Sequence, residues 1–168
     1  MDLTGRTALV TGGSGDIGTA ISMSLAKLGA NVLVHTYQNL KAAKLVVERI
    51  EKLGKSAKIL QANLLKREEV LRMSDEILSM GPLDILVNNA GTPIKRVPWE
   101  ELDEEFLDQV FALNYRAPLY LTQKLTPGMI KRSHGVIINI LSGAAHNCGC
   151  LLYTSDAADE RSSVDLGG

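Results

Sequence analysis

The sequence predicts an α/β chain built on a doubly wound parallel sheet, and three observations carry that expectation. Short apolar runs alternate with longer helical stretches, which supplies the crossover connections that parallel strands require. The runs are continuous, as in Ala8-Leu9-Val10 and Ile85-Leu86-Val87, whereas a strand with one wet face would alternate apolar and polar residues. A glycine-rich turn, Thr11-Gly12-Gly13-Ser14-Gly15-Asp16-Ile17-Gly18, joins the first run to the first helical stretch.

Taken in order, the first strand is expected over Thr7–Thr11 and the first helix over Asp16–Leu28. Ile17, Ile21, Leu25 and Leu28 keep helical spacing there, up to Gly29, a residue suited to the position after a helix C-cap. A second strand follows at Asn31–Thr36. The second helix, Leu40–Leu53, sets Leu45, Val46, Ile50 and Leu53 on one face and stops at Gly54. The third strand falls at Ala57–Ala62. The third helix, Arg67–Met80, places Val70, Met73 and Ile77 on its apolar face with Leu71 and Leu78 beside them. Asp84–Asn88 reads as the fourth strand.

A long helical stretch, Glu104–Arg132, loses its periodicity near Asn114-Tyr115-Arg116, where a kink is expected because Asn is a poor helix former. Pro118 and Pro127 are expected to interrupt it again. The fifth strand is Val136–Leu141. Right-handed crossovers turn this series into a doubly wound sheet, with a ligand site at the carboxyl ends of its strands, and the expected strand order is 3-2-1-4-5.

The glycine turn has the makings of a phosphate site. Backbone N–H groups at a helix start point at an anion, and missing Cβ atoms let it come close. Gly13, Gly15 and Gly18 fit the G-x-G-x-x-G spacing of turns that hold a dinucleotide pyrophosphate. The position between a strand and a helix gives that spacing its weight. A second landmark closes the fourth strand, in Asn88-Asn89-Ala90-Gly91. Asn114 and the run Gly135-Val136-Ile137-Ile138-Asn139-Ile140-Leu141-Ser142 follow in the same order as the marks of one family.

From about Leu3 to Ser142 the chain resembles the short-chain dehydrogenase/reductase family, whose marks are T-G-x-x-x-G-x-G and N-N-A-G, and within it the 3-oxoacyl-carrier-protein reductase-like members and related sugar or polyol dehydrogenases. The resemblance implies a Rossmann-like fold with its C-terminal strands missing. It also implies an NAD(P)-dependent oxidoreductase that moves a hydride between a nicotinamide cofactor and a small carbonyl or alcohol substrate. Cofactor contacts are implied at Thr11, Gly12, Ser14, Gly15, Asp16, Ile17, Gly18, Thr36, Asn63, Leu64, Asn89, Ala90 and Gly91. Ser142 would polarise the substrate oxygen. Asn114 would hold a helix kink and bind a water in a proton relay. The family is usually dimeric or tetrameric, so the parent protein is expected to be a homodimer or homotetramer.

Three positions depart from the family's pattern. Asp16 stands where glycine is usual; its carboxylate suits a helix N-terminus but opposes a nearby pyrophosphate, and the favoured reading turns it outward. Asn63 replaces an aspartate that accepts a hydrogen bond from the adenine amino group; an amide oxygen can still accept it, or Asn63 can simply begin a turn. The second strand ends in His35-Thr36-Tyr37-Gln38-Asn39-Leu40-Lys41, with no carboxylate to bind a ribose 2′-hydroxyl and reject a 2′-phosphate. That absence favours NADP(H) over NAD(H), although Lys41 reads equally as a solvated helix-face charge.

The largest departure is C-terminal. The family's tyrosine follows its serine by thirteen residues and a lysine follows the tyrosine by four, yet these positions hold Ser155 and Asp159. Tyr153 is out of register, and no lysine follows Lys131. A tyrosine with its ordinary pKa of about 10 exchanges a proton poorly at neutral pH without a cation beside it. From Cys150 the sequence resembles an in-frame translation of a sequencing-library adapter. The expected organisation is therefore residues 1–149 as the N-terminal part of a dinucleotide-binding domain and 150–168 as a non-native, disordered tail. The chain alone is expected to be inactive. A competing class is a dinucleotide-binding sensor or scaffold that never catalyses, which a genuine Tyr153–Ala157 segment would favour.

Composition narrows the remaining classes. With 168 residues and 45% hydrophobic content, the chain can bury one core of ordinary size. A net charge of −1 with mixed signs points to neither nucleic acid nor an anionic membrane. Met1-Asp2-Leu3-Thr4-Gly5-Arg6 has no apolar segment of the kind that begins a signal peptide, and two cysteines make no disulfide framework, so a cytoplasmic protein is expected. His146-Asn147-Cys148-Gly149-Cys150 lacks further donors at metal-ligand spacing, so no metal is expected.

Overall fold

All five strand runs pair side by side in one parallel sheet. The computed structural model describes residues 1–91 and 99–141. Its strands are β1 (Thr7–Val10), β2 (Asn31–Thr36), β3 (Ala57–Gln61), β4 (Ile85–Asn88) and β5 (Val136–Asn139), ordered β3-β2-β1-β4-β5 with every described pairing parallel. The helices are α1 (Asp16–Lys27), α2 (Leu40–Glu51), α3 (Arg67–Met80), α4 (Glu104–Phe111) and α5 (Ala117–Lys131). A 3-10 turn at Trp99–Glu101 precedes α4. This is the expected strand order, and the point between β1 and β4 where the order of strand addition reverses is where such sheets open a crevice.

Because side chains alternate across a strand, each strand feeds two cores. Leu9, Leu33, Leu60 and Leu86 point to the side covered by α3 and α5, where they meet Val70, Met73, Ile77, Leu121, Leu125 and Met129. Ala8, Val10, Val32, Val34, Ile85 and Val87 point to the other side, against Ala26, Ala43, Val46 and Ile50 of α1 and α2. The N-terminal ends of β1 and β4 are tied by Asp84, whose Oδ2 accepts from the Thr7 N–H at 3.0 Å while Arg6 lies 3.5 Å from Oδ1.

Several details differ from the sequence reading. The buried row of α1 is Gly18, Ser22 and Ala26, whereas Ile17 and Leu28 are exposed. Small residues face the sheet because the helix must start close against the turn that precedes it. In α2 the buried residues are Ala43, Val46 and Ile50; Leu45 and Leu53 lie outside, displaced by the same preference for a close, small contact. Leu78 of α3 is also exposed.

The break at Asn114 is a π-helical segment, Ala112–Arg116, between α4 and α5. Such a segment adds a residue to the turn without ending the helix. Pro118 is the second residue of α5, directly after the π-helical segment, and α5 runs on through Pro127, so neither proline ends the helix as the sequence led one to expect. The buried row Ala117, Leu121, Leu125 and Met129 packs α5 along its length, which holds the helix together across the lost hydrogen bond. β5 is the edge of the described sheet. Val136, Ile138 and Ile140 along this edge are substantially exposed, unlike the apolar residues of the inner strands.

Candidate functional site

At the carboxyl ends of β1 and β4, two loops are bound to each other through Thr11. The Thr11 hydroxyl donates to the Val87 carbonyl at 3.2 Å and accepts from the N–H groups of Asn89 and Ala90, both at 2.9 Å. Asn89 Nδ2 returns the contact, donating to the Thr11 carbonyl at 2.8 Å and to that of Gly12 at 3.3 Å. A β-hydroxyl is the smallest group that can do all three, and Thr11 is 2% exposed.

The backbone then turns sharply over this joint. Gly12 has φ +61, and a Cβ there would lie 3.1 Å from Ala90 Cα. The first turn of α1 presses in from the other side, since a Cβ on Gly18 would collide with the Gly12 carbonyl. Gly15 is the exposed N-cap, in extended conformation, and no side chain caps the helix. Uncapped N–H groups on a bare, exposed helix start fit the pyrophosphate of a dinucleotide. Asp16, at the first helical position, is exposed, and Ile17 beside it is 62% exposed.

The end of β2 forms the floor beside this turn. Ser14 Oγ donates to Thr36 Oγ1 at 2.8 Å, and Thr36 is buried. His35 is not among the residues that the sequence pointed to as cofactor contacts, yet it lies at the site. Its ring is 2% exposed and lies between the glycine turn and the loop after β3: Nδ1 accepts from the Gly12 N–H at 3.0 Å and Nε2 meets the Ala62 carbonyl at 3.1 Å. Its own carbonyl accepts from the Gly13 N–H at 2.8 Å. Burial pushes the imidazole pKa below its ordinary value, against an opposing contribution from the Ala62 hydrogen bond.

After β3, Asn63 is buried and forms the turn into α3. Its Oδ1 accepts from the Leu65 N–H at 3.0 Å, and its own N–H donates to Glu69 Oε2 at 2.7 Å. That N–H, followed by the nearby Lys66, holds the Glu69 carboxyl below the usual range. Leu64 is buried in the core on the α3 side.

Asn114 reaches the same crevice from the π-helical segment. Its Nδ2 donates to the Val110 carbonyl at 2.9 Å, and a Cβ on Gly91 would lie 2.8 Å from its Oδ1. The fold thus gathers Thr11, Gly12, Asn89, Ala90, Gly91 and Asn114 around one crevice, with Ser14 and Thr36 at its side. Another feature that sequence reasoning missed lies just below: Asn88 Nδ2 donates to Asn139 Oδ1 at 2.9 Å, across register partners of β4 and β5. Two asparagines ending neighbouring apolar runs were the available signal.

Ser142, Tyr153, the segment His146–Cys150 and the expected tail 150–168 lie outside the described residues. Among the described residues no group of three His, Cys, Asp or Glu side chains could hold a metal ion, and no helix is long and apolar enough to cross a membrane.

Comparison with known proteins agrees with this geometry. Residues 6–155 match the family model described as short chain dehydrogenase. The chain is 41% identical over 148 residues to the hydroxynaphthalene reductase-like protein Arp2 of Metarhizium robertsii, covering 88% of this chain and 54% of that protein. It is 37% identical over 156 residues to the 3-oxoacyl-[acyl-carrier-protein] reductase FabG of Staphylococcus epidermidis, covering 91% and 64%. The chain therefore spans only part of the length of the curated relatives it matches.

Among solved structures, a 3-oxoacyl (acyl-carrier-protein) reductase from Agrobacterium tumefaciens C58 with NADP bound superposes with a TM-score of 0.83 at 30% identity, over 89% of this chain and 57% of that one. A 7α-hydroxysteroid dehydrogenase complexed with NADH and 7-oxo glycochenodeoxycholic acid gives 0.82 at 33% identity, over 96% and 62%.

Proposed function

The chain belongs to the short-chain dehydrogenase family, and on that premise we propose that the protein it represents is an NAD(P)-dependent oxidoreductase acting on a small carbonyl or alcohol. The observation that carries the proposal is the joint between the glycine turn and the Asn89–Gly91 loop at the reversal point of the sheet, beside an uncapped helix start.

In this reading the first turn of α1 holds the pyrophosphate through N–H groups of the Ser14–Gly18 segment, favoured by the positive end of the helix. Thr36 borders the adenosine ribose, Asn63 and Leu64 the adenine, and Asn89, Ala90 and Gly91 line the rest of the cofactor. When bound, the nicotinamide supplies or takes up the hydride. Ser142 donates a hydrogen bond to the substrate oxygen, and Asn114 orients a water for the proton relay. Ser155 and Asp159 stand where the family's pattern has tyrosine and lysine, so the 168-residue chain binds the dinucleotide without turning it over.

NADPH is the preferred cofactor in this proposal, because no carboxylate stands between Thr36 and Lys41 to repel a 2′-phosphate. Titration of the chain with NADPH and NADH, followed by nucleotide fluorescence, tests the binding. Kinetics of a version extended by a complete family C-terminus, over a panel of carbonyls, tests the chemistry. Tighter binding of NADPH and turnover only by the extended protein are expected. Failure of both nucleotides to bind overturns the function, and a clear NADH preference overturns the cofactor assignment.

A further inference from the structure

The buried ring of His35 is placed where no core-packing requirement puts it, with one nitrogen on each of two loops. The Gly12 N–H can only donate, so Nδ1, 3.0 Å away, must carry a lone pair. The ring proton is then on Nε2, where it donates to the Ala62 carbonyl at 3.1 Å. A neutral imidazole with its proton on Nε2 satisfies both contacts, and a ring protonated on Nδ1 sets two donors against each other.

The backbone around the ring repeats the same connection. The Gly13 N–H donates to the His35 carbonyl, and the Ala62 N–H donates to the Thr36 carbonyl at 3.2 Å. Side chain and main chain together fix the glycine turn relative to the loop that begins at Ala62. Gly12 sits at φ +61 with its own carbonyl against Gly18, so a small rotation of its peptide would redirect the start of α1.

We propose that His35 is a positioning residue for the dinucleotide: its Nδ1 holds the Gly12 peptide in the orientation that aims the helix start at the pyrophosphate, and its Nε2–H fixes the Ala62–Asn63 loop on the adenine side. The role rests on the dinucleotide-binding reading given above. It is carried by side-chain geometry that a leucine or valine of similar bulk would lack.

Two amide variants separate the arms. Asparagine places an oxygen near the Nδ1 position and keeps the acceptor for Gly12; glutamine places its amide near Nε2 and keeps the donor for Ala62. NADPH affinity of the 168-residue chain is measured for wild type, His35→Asn and His35→Gln, alongside their melting temperatures. The Asn variant, which loses only the adenine-side arm, is expected to bind about threefold more weakly than wild type. The Gln variant, which orphans the part-buried Gly12 donor beside the pyrophosphate, is expected to bind at least about tenfold more weakly. Equal loss in both, in step with the melting temperature, would make the residue merely structural and overturn the proposal.

A second measurement needs no variant. Nitrogen-15 NMR of the unliganded wild-type ring is expected to show an unprotonated Nδ1 and a protonated Nε2, and the opposite tautomer overturns the proposal. Failure of wild type to bind either NADPH or NADH overturns the proposed function and this role with it. Binding by wild type with identical Asn and Gln behaviour overturns this role alone.

Discussion

Gly18 lies so close to Gly12 that a single methyl group on Gly18 would collide with the Gly12 carbonyl oxygen and carbon. The first turn of α1 and the glycine turn are therefore one packed unit. Gly18→Ala is expected to cost about 1–3 kcal/mol of stability, as overpacking of a rigid backbone contact does. Gly15→Ala is the control: its Cβ would meet the Gly12 carbonyl at 3.4 Å, an ordinary contact, and the residue is exposed. Urea unfolding of both variants checks the contrast, with the Gly15 variant expected within about 0.5 kcal/mol of wild type.

Thr11 offers the same test for the joint between the two loops. Thr11→Val keeps the shape and removes the oxygen that accepts from Asn89 and Ala90. Two part-buried donors then lose their partner, for an expected loss of about 2 kcal/mol. Thr11→Ser restores the oxygen and is expected to recover most of it. Chemical denaturation measures the stability, and a Ser variant less stable than the Val variant would assign the effect to the lost methyl packing instead of the hydroxyl.

The sign of the pH dependence follows from His35. Burial lowers its folded-state pKa below the value of about 6.5 that it recovers on unfolding. Below that value the unfolded chain binds more protons than the folded one, so stability falls as the solution is acidified. The contribution is fully present above pH 6.5 and is lost as pH drops through the folded-state pKa. Urea midpoints measured from pH 8 downward are expected to decline below about 6.5, and His35→Asn is expected to flatten that part of the curve.

The exposed side chains of β5 predict a solubility effect. Val136, Ile138 and Ile140 are 49%, 40% and 39% exposed on the edge of the described sheet. An apolar edge with open N–H and C=O groups is a template for pairing with another chain. Ile138→Lys is expected to reduce concentration-dependent light scattering of the 168-residue chain. Unchanged scattering would place the sticky surface elsewhere.

Much of the architecture could be read from the chain because it is written in local pattern. Continuous apolar runs separated by helical stretches determined a parallel, doubly wound sheet, and the order expected for it, 3-2-1-4-5, is the one found. Gly12, Gly15, Gly18 and the Asn89-Ala90-Gly91 loop were recognisable because turns and close approaches restrict residue type. Tertiary structure alone decided the rest. The buried row of α1 is Gly18, Ser22 and Ala26 because the helix starts against a turn, a demand that its own periodicity does not contain. Helix α5 survives Pro127 because packing along Leu121, Leu125 and Met129 outweighs one missing hydrogen bond. His35 links Gly12 to Ala62, residues separated by fifty positions, and only the pairing of β2 with both its neighbours brings the three together. A hydrogen bond between distant segments leaves no local pattern; it exists only once the sheet has set the distance.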